Sequence, residues 1–395
     1  KKFFHVSSRS TSVSDHNPTI VQVLPALESG GVERGTLEIG RTIVQAGWRS
    51  VVVSAGGRLV SQLEADGSEH VTWDLGRKSV ITLRHIRPFR RFLRELRPDI
   101  LHVRSRMPAW MAWMAWRGLP ENDRPRFMTT VHGPYSVNAY SKIMTRGERV
   151  IAVSNMIRQY ILDNYHGVDP SCIRVIHRGI APEDHPRGHR PDSEWRTAFH
   201  QDLPRITADT KLITIPARIT RWKGQLAGVE VLAQLIHQGH DVALLLVGEV
   251  KDGKDGFRQE LEMRAAALGV QERVIFLGHR KDIREILAVS DISLSLTEKP
   301  EAFGRVIVES LSLGTPVVAY DHGGAAEQLE LMLPSGRVPV GDLERATQTV
   351  ADFLRTPPII ATEHPFTLDQ MQRSTLAVYE ELLSQTFATE LPVSP

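Results

Sequence analysis

The feature that most constrains the fold is a repeated alternation of short apolar runs with longer amphipathic segments. The apolar runs of the first half have the length of strands: TIVQVLP, RSVVVSAGG, DILHVRS, FMTTVHG, RVIAVSN and RVIHRGI. The alternation resumes later with KLITIPA, DVALLLVGE, RVIFLGH, DISLSLT and TPVVAYD. Strand, helix, strand order predicts parallel sheets covered on both faces by helices, so we expect an α/β protein.

The alternation is broken once, over residues 181–205, where prolines and charged residues cluster. We predict the connection between two domains there. A chain of 395 residues is long enough for two domains of ordinary size. The prediction is two doubly wound lobes with a cleft between them, an N-terminal domain over residues 18–180 and a C-terminal domain over residues 206–365.

Charge is distributed unequally between the two halves of the chain. Residues 1–200 hold 29 Lys and Arg against 19 Asp and Glu, whereas residues 201–395 hold 19 against 27. Much of the excess follows one predicted helix, LRHIRPFRRFLRELRP, in Arg84, Arg87, Arg90, Arg91, Arg94 and Arg97. Such a face is solvated surface or a contact for anionic lipid headgroups. Nucleic acid is the weaker alternative, because no recognisable binding module accompanies the arginines.

Several features bear on the compartment. The single cysteine, Cys172, excludes an intramolecular disulfide framework and fits a reducing compartment. The polar start KKFFHVSSRSTSVSDHN is not a secretory signal, and no apolar run reaches the roughly 20 residues that span a bilayer. We expect a cytoplasmic protein, with contact at the inner face of the cytoplasmic membrane left open. The segment MPAWMAWMAWRG predicts a buried helix, with a membrane-facing helix as the alternative.

In doubly wound sheets ligands bind outside the carboxyl ends of the strands. In the loop SGGVER, Gly30 and Gly31 follow the first strand and precede a helix, an arrangement that suits close approach of an anion or a purely structural turn. His132 lies at a strand end in TVHGPYS, where it is a candidate hydrogen-bonding or catalytic group. In ARITRWKGQ, Arg218 and Lys223 follow a strand and suit a phosphate or diphosphate.

The fourth loop is EAFGRVIVE, which sets Glu301 and Glu309 eight positions apart. Gly304 is at the predicted start of a helix, so the amides near Phe303, Gly304 and Arg305 can face an anion. The spacing does not follow the rule for an acid and a base across a scissile bond. Two carboxylates of this kind can instead accept hydrogen bonds from the hydroxyls of two sugar rings, although Glu309 has an alternative use as an ordinary helix residue.

These residues carry a family resemblance. The run from Glu301 to Glu309, with LGTPVVA after it, resembles the E-x7-E signature of retaining glycosyltransferases of family 4. GGVERGTLEIGRTIVQAG resembles the glycine loop of that family, ARITRWKG its diphosphate-binding segment, and DHGGAAEQL through SGRVPVGD its closing segment. The match runs in order from about residue 19 to 355. It implies the GT-B fold of two facing Rossmann-like domains, the first binding the acceptor and the second the nucleotide sugar, with a helix at 366–390 packing back toward the first.

The resemblance also implies roles for the donor site. Glu309 would hold the ribose hydroxyls, and Glu301 the hydroxyls of the transferred sugar with help from the amides of Phe303 and Gly304. Arg218 and Lys223 would neutralise the leaving diphosphate.

The remaining implied roles concern the surroundings of the transferred sugar. His132 would lie near this sugar, and Gly31 would let the N-terminal domain close on the diphosphate. Retention requires no protein nucleophile. The absence of a D-x-D triplet predicts that no Asp-held divalent metal is needed. The resemblance implies that a sugar linked to UDP or GDP is a substrate, and we predict no cofactor.

Two segments depart from the family pattern. Arg178 stands where many members have Asn, which adds a cation near the predicted cleft. The loop GEVKDGKDG is long and charged and leaves recognition of the base open.

The function we predict is transfer of a sugar to a glycan or lipid-linked acceptor, in lipopolysaccharide core or exopolysaccharide synthesis. The alternatives are a nucleotide-sugar epimerase, hydrolase or phosphorylase of the same fold, and a non-catalytic protein that binds sugar nucleotides. The sequence leaves open the donor sugar and base, the acceptor, the linkage position and the oligomeric state.

Overall fold

A computed structural model of the chain describes residues 17–28, 30–203, 206–250 and 255–384. Outside these ranges lie residues 1–16 of the polar N-terminal start, Ser29 of the loop SGGVER, residues 204–205 of the predicted connection and residues 251–254 of the charged loop. Residues 385–390 of the predicted C-terminal helix lie outside them as well.

Thirteen strands in the described residues form two sheets, of seven and six strands. The strands of the first sheet are β1 (Thr19–Val23), β2 (Arg49–Ser54), β3 (Glu69–Thr72), β4 (Ile100–Val103), β5 (Arg126–Val131), β6 (Arg149–Ala152) and β7 (Ile173–Val175). Those of the second are β8 (Lys211–Pro216), β9 (Val242–Val247), β10 (Val274–Gly278), β11 (Ile292–Ser295), β12 (Val317–Tyr320) and β13 (Arg337–Val338). The orders are β3-β2-β1-β4-β5-β6-β7 and β10-β9-β8-β11-β12-β13. The strand pairs that we describe are parallel, for example Val21 with Val51 and Ile213 with Leu244, so the predicted α/β architecture is confirmed.

Helices connect the strands. Those up to residue 201 are α1 (Gly31–Gln45), α2 (Val60–Ala65), α3 (Ile86–Leu96), α4 (Arg106–Arg117), α5 (Asn155–Asn164) and α6 (Ser193–Gln201). Those that follow are α7 (Gln225–His237), α8 (Asp255–Ala267), α9 (Ile283–Val289), α10 (Arg305–Leu313), α11 (Gly323–Met332), α12 (Leu343–Arg355) and α13 (Leu368–Ser384). None of the described helices is both long and apolar enough to cross a membrane.

The chain divides into two compact units. The first comprises the described residues of Lys1–Thr129, Arg146–Arg149 and Val378–Pro395, and the second comprises those of Thr130–Thr145 and Val150–Ala377. The domain boundaries predicted from the sequence, 18–180 and 206–365, stay a prediction.

The strands are buried as parallel strands must be when helices cover both faces. All residues of β1 and β9 are buried. The polar residue near the centre of β1, Gln22, is satisfied on both sides: its Nε2 donates to the Thr36 carbonyl at 3.2 Å and its Oε1 accepts from Arg104 at 2.5 Å. A buried polar side chain therefore ties the centre of the sheet to α1 without an unpaired amide.

The first unit also holds the end of the C-terminal helix. Tyr379 on α13 is fully buried, and its hydroxyl lies 2.8 Å from Nδ1 of His102 on β4. Burial raises the pKa of the Tyr379 hydroxyl, with the positive Arg104 opposing this effect. In addition, Arg149 forms an ion pair with Glu381 at 2.7 Å. These contacts anchor the last two turns of α13 to the first sheet.

The tryptophan-rich segment forms α4. Its residues Met111 and Trp116 are buried, Trp113 stacks on Trp116 with 4.9 Å between ring centroids, and the Trp116 indole donates to the Pro125 carbonyl at 2.7 Å. The helix thus directs much of its aromatic surface into the first unit, as its all-round apolar pattern indicates.

Three details of the strand prediction were wrong. β3, with the sequence EHVT, was not predicted, because its residues are only partly buried and carry a weak apolar signal. β13 was not predicted either, because a strand of two residues is too short to show a pattern. The run RVIHRGI was predicted as one strand, but β7 ends at Val175. The following residues leave the sheet because the backbone of Ile180 pairs instead with the segment at Thr367, in an isolated parallel bridge.

Candidate active site

Two predicted site residues, 78 positions apart, meet in the second unit. Lys223 lies in a short 3-10 turn after β8, and its ammonium group forms an ion pair with the carboxylate of Glu301, from the loop after β11. The two side chains are 15% and 19% exposed. The ammonium also lies 4.4 Å from the centre of the Trp222 ring, a cation–π contact. The cation and the acid predicted from separate motifs therefore share one partly desolvated position.

The position of Lys223 depends on the glycine that follows it. Gly224 has φ of +81°, the left-handed region that favours glycine, and it ends the turn and begins α7. A Cβ on Gly224 would lie 2.1 Å from the backbone oxygen of Leu296. The turn therefore packs directly on the backbone after β11, which brings Lys223 to Glu301.

The start of α10 carries the other acid of the pair. Gly304 has φ of +79° and is the N-cap of α10, while Phe303 is buried. Glu309 lies just over one turn into the helix, is 9% exposed, and has Arg305 Nε 3.9 Å from its carboxylate. The predicted helix start at Gly304 is therefore present, with Glu301 ahead of the helix and Glu309 inside it.

The loop before α10 rests on the N-terminus of α11. The amide of Gly324 donates to the Glu301 carbonyl at 2.8 Å, and a Cβ on Gly324 would lie 2.4 Å from Phe303 Cα. Gln328 on α11 is buried and donates to the Phe303 carbonyl at 2.5 Å. We did not predict Gln328 from the sequence, although the glycine pair in DHGGAAEQL signalled the close packing.

Arg218 follows β8 with an exposed side chain. Its carbonyl accepts a hydrogen bond at 2.9 Å from Nε2 of Gln225, a fully buried residue at the start of α7. Gln225 was not predicted either, since a glutamine beside a basic turn gives no signal in the sequence. Arg221, by contrast, is engaged elsewhere, because its guanidinium pairs with Glu260 on α8 at 2.5 Å.

His132 follows β5 and also belongs to the second unit. The guanidinium of Arg178 donates to its Nδ1. The neighbouring residue His177 places Nε2 2.8 Å from the carboxylate of Glu327 on α11, and its ring centroid is 6.2 Å from that of Phe303. The residues around His132 are thus linked through His177 to the loop that carries Glu301.

Glu327 is the third functional candidate that sequence reasoning missed. Its carboxylate accepts from the amides of Asn155 and Met156 at 3.0 and 2.8 Å, at the N-terminus of α5. Burial raises the pKa of Glu327, but the hydrogen bonds from His177, Met156 and Asn155 outweigh burial and hold that pKa below its usual value. The carboxylate therefore stays ionised and joins α5 and α11 to the strand-end segment at His177.

The remaining predicted residues, Gly30 and Gly31, lie in the first unit. Gly30 is the extended N-cap of α1 and Gly31 is its first residue, so the predicted strand, glycine turn and helix order is correct. A Cβ on Gly31 would meet nothing within 4 Å. This position thus leaves open space over the helix N-terminus.

Two parallel sheets with basic and acidic residues at the carboxyl ends of the strands are consistent with a glycosyltransferase of the GT-B type, and the comparisons with known proteins show this class. Residues 29–184 match the family model described as Glycosyltransferase Family 4, and residues 198–357 match that described as Glycosyl transferases group 1. A solved glycosyltransferase from Rickettsia africae is 30% identical, with a TM-score of 0.81 over 94% of this chain and 100% of that one. The chain belongs to glycosyltransferase family 4 and has the GT-B fold, as the sequence motifs predicted.

Two curated relatives are similar over smaller shares of this chain. The N-acetyl-alpha-D-glucosaminyl L-malate synthase of Bacillus anthracis is 26% identical over 300 residues, 74% of this chain and 73% of that protein. The lipopolysaccharide core biosynthesis mannosyltransferase LpsB of Rhizobium meliloti is 25% identical over 189 residues, 44% of this chain and 52% of that protein. The first name contains an N-acetylglucosaminyl group and malate, whereas the second contains a mannosyl group and the lipopolysaccharide core. The two relatives therefore differ in sugar and in product.

Proposed function

We propose that this glycosyltransferase moves a sugar from a UDP- or GDP-linked donor to a glycan or lipid-linked acceptor, with retention of the anomeric configuration and without a metal ion. The observation that carries the proposal is the Lys223–Glu301 ion pair at the start of α10. The pair puts a cation suited to a phosphate beside a carboxylate suited to a sugar hydroxyl.

The roles of the donor-site residues follow from their chemistry. Lys223 and Arg218 balance the charge that develops on the diphosphate as it leaves, which is electrostatic stabilisation of the transition state. The amides of Phe303 and Gly304 open a helix, where the dipole favours an anion. Glu301 accepts from hydroxyls of the transferred sugar, and Glu309 accepts from the ribose hydroxyls.

The proposed reaction breaks the bond between the anomeric carbon and the diphosphate oxygen, which keeps the electron pair. The acceptor hydroxyl forms the new bond from the same face and passes its proton to the departing phosphate. Attack from that face retains the configuration without a protein nucleophile. The cations Lys223 and Arg218 take the part that a divalent metal plays in other transferases.

A lipid-linked acceptor, of the lipopolysaccharide core or exopolysaccharide kind, is the acceptor that we favour. The similarity to LpsB supports this choice over part of the chain. The second support is a surface in the first unit that we call the basic surface: Ile81, Leu83, Arg87, Arg91 and Arg94.

The basic surface combines exposed cations with exposed apolar side chains. Arg87, Arg91 and Arg94 are spaced by four and three residues on α3, so they share its exposed face, while Phe89 and Leu93 face the core. Ahead of them, Ile81 and Leu83 are 61% and 45% exposed. Glu95 forms an ion pair with Arg91 at 2.6 Å and so neutralises the charge of one of these arginines. Cations beside apolar side chains suit an anionic membrane, so we propose a cytoplasmic protein that contacts the inner face of the cytoplasmic membrane.

The function is tested by incubating the protein with glucose, galactose, mannose and N-acetylglucosamine conjugates of UDP, GDP and ADP, in EDTA, with and without a lipid-linked glycan acceptor. Acceptor-dependent nucleotide release, with the anomeric configuration of the product equal to that of the donor by NMR, is expected. The Glu301→Gln variant should lose at least a hundredfold in rate. A product of opposite configuration would overturn the mechanism.

The same incubation separates the alternatives. Nucleotide release without acceptor would favour an epimerase or a hydrolase, and release only with added phosphate would favour a phosphorylase. Binding of a nucleotide sugar without any turnover would favour a non-catalytic protein.

The membrane contact is tested by cosedimentation with phosphatidylcholine vesicles that contain or lack phosphatidylglycerol. We expect binding that needs the anionic lipid, and a loss of several-fold in the combined Arg87→Gln, Arg91→Gln and Arg94→Gln variant. Arg258→Gln on α8, an exposed arginine paired with Glu262, is the matched control and should bind as the wild type does. Equal binding by the combined variant would contradict the proposed surface.

A further inference from the structure

The contact between Arg178 and His132 restricts the protonation of the histidine. Arg178 donates from its guanidinium to Nδ1 of His132. A guanidinium has five N–H donors and no acceptor, and it does not lose its proton in proteins. The Nδ1 atom must therefore offer its lone pair, which leaves the ring proton on Nε2.

The contact also disfavours the protonated ring. An imidazolium carries N–H on both nitrogens, so its Nδ1–H would point at the guanidinium and two positive charges would face each other. The arrangement selects a neutral imidazole with a single N–H, on Nε2. The Nε2 atom is shielded from bulk water.

Arg178 is held in place by the contacts of the residues on both sides of it. The preceding residue His177 is bound to Glu327 at 2.8 Å. The following residue Gly179 leaves no room for a side chain, because a Cβ there would lie 2.1 Å from the Thr367 carbonyl oxygen. A second nitrogen of the Arg178 guanidinium lies 3.8 Å from the sulfur of Met371. The guanidinium is therefore oriented by packing and does not sample the surface as a free arginine does.

The loop that carries His132 is fixed as well. The His132 amide donates to the Tyr135 hydroxyl at 3.3 Å, and the Tyr160 hydroxyl donates to the Tyr135 carbonyl. Two ordered segments thus meet at the Arg178–His132 contact.

We propose that Arg178 is a positioning residue that holds His132 as the neutral Nε2–H tautomer, so that His132 donates one hydrogen bond to the transferred sugar and never acts as the base for the acceptor hydroxyl. The part that concerns the sugar rests on the proposed function. The tautomer follows from the contact alone.

The tautomer is measured by NMR on protein labelled with 15N-histidine, with His132→Gln used to assign the signals. In the wild type, Nδ1 of His132 should resonate as an unprotonated nitrogen and Nε2 as a protonated one. Arg178→Lys keeps a cationic donor and should keep this pattern. Arg178→Met removes the donor and should give a mixture of tautomers. Arg196→Met, at an exposed arginine of α6, is the matched control and should leave the spectrum unchanged.

Kinetics test the part that depends on transfer. Arg178→Met should lower kcat for transfer by about tenfold with KM for the donor changed less than threefold, and Arg178→Lys should restore most of the loss. A protonated Nδ1 in the wild type would overturn the proposal. So would an unchanged spectrum and rate in Arg178→Met. If no donor is turned over, the proposed function fails, yet the spectrum still decides the tautomer.

Discussion

Removal of the Lys223 ammonium should weaken binding of a nucleoside diphosphate more than any other single change in the second unit. The ammonium is 15% exposed and already rests against Glu301, so it meets a phosphate in a partly desolvated place. A hydrogen bond to a charged group contributes about 1.5–3 kcal/mol. Lys223→Met should therefore raise the Kd for the diphosphate that the wild type binds by roughly ten- to hundredfold.

The same change should leave the protein folded. Removing one partner of this largely shielded pair costs about 1–3 kcal/mol of unfolding free energy, which is less than the roughly 5–15 kcal/mol by which domains are stable at 25 °C. Calorimetric titration therefore reports binding rather than unfolding. In the same titration, Glu301→Gln should change the Kd less than threefold, because Glu301 is assigned to the sugar and not to the diphosphate.

A matched control lies at the other end of the same strand. Lys211 begins β8, whereas Lys223 follows its carboxyl end, and Lys211 pairs with Asp291 at 3.0 Å with 52% of its side chain exposed. Lys211→Met should leave the Kd within twofold of the wild type. The reasoning is refuted if Lys223→Met binds the diphosphate as tightly as the wild type, or if Lys211→Met loses as much affinity.

Three further changes test the packing around the site and the anchor of α13. Gly224→Ala should lower the unfolding free energy by about 3 kcal/mol or more, whereas Gly239→Ala, with φ of +88° and open space, should cost only about 1 kcal/mol in a denaturant titration. Because the folded-state pKa of Glu327 is lowered, its stabilisation is present above the ordinary value of 4.5 and is lost as the pH falls through the folded pKa. The wild type should thus be more stable than Glu327→Gln at pH 7, and this difference in unfolding free energy should shrink below pH 4.5. A difference that grows there would contradict the assignment. Tyr379→Phe should cost about 1–3 kcal/mol by removing the buried hydrogen bond between the Tyr379 hydroxyl and His102 Nδ1, and a Tm equal to that of the wild type would show that the contact is dispensable.

Much of the fold could be predicted, because strands that are buried on both faces consist mainly of apolar residues. Strands β1 and β9 lie under helices on both faces, so they are continuous apolar runs that stand out in the sequence. β3 is only partly buried and has no such run, and therefore no local pattern distinguished it. The residues after β7 have strand-like composition, but the backbone of Ile180 pairs with the segment at Thr367, which lies almost 190 positions further along the chain and leaves no local signal.

Residues of the candidate site could be proposed from the sequence where a residue type signals its own chemistry. Lys223 and Glu301 follow strands in loops with glycine, and the structure shows that the two form an ion pair. Gln225, Gln328 and Glu327 were missed, because a polar residue on a helix usually faces solvent. Their roles arise from burial against loops distant in sequence, such as the 25 residues between Gln328 and Phe303, and local spacing does not encode such contacts.

The central claim, a nucleotide-sugar site that works without metal in the second unit, is tested most directly by calorimetric titration of the wild type in EDTA. The ligands are UDP, GDP, ADP and their glucose, galactose, mannose and N-acetylglucosamine conjugates. We predict selective binding of one nucleotide, one molecule per chain, with affinity that falls in Lys223→Met. A folded protein that binds none of these ligands would contradict the claim.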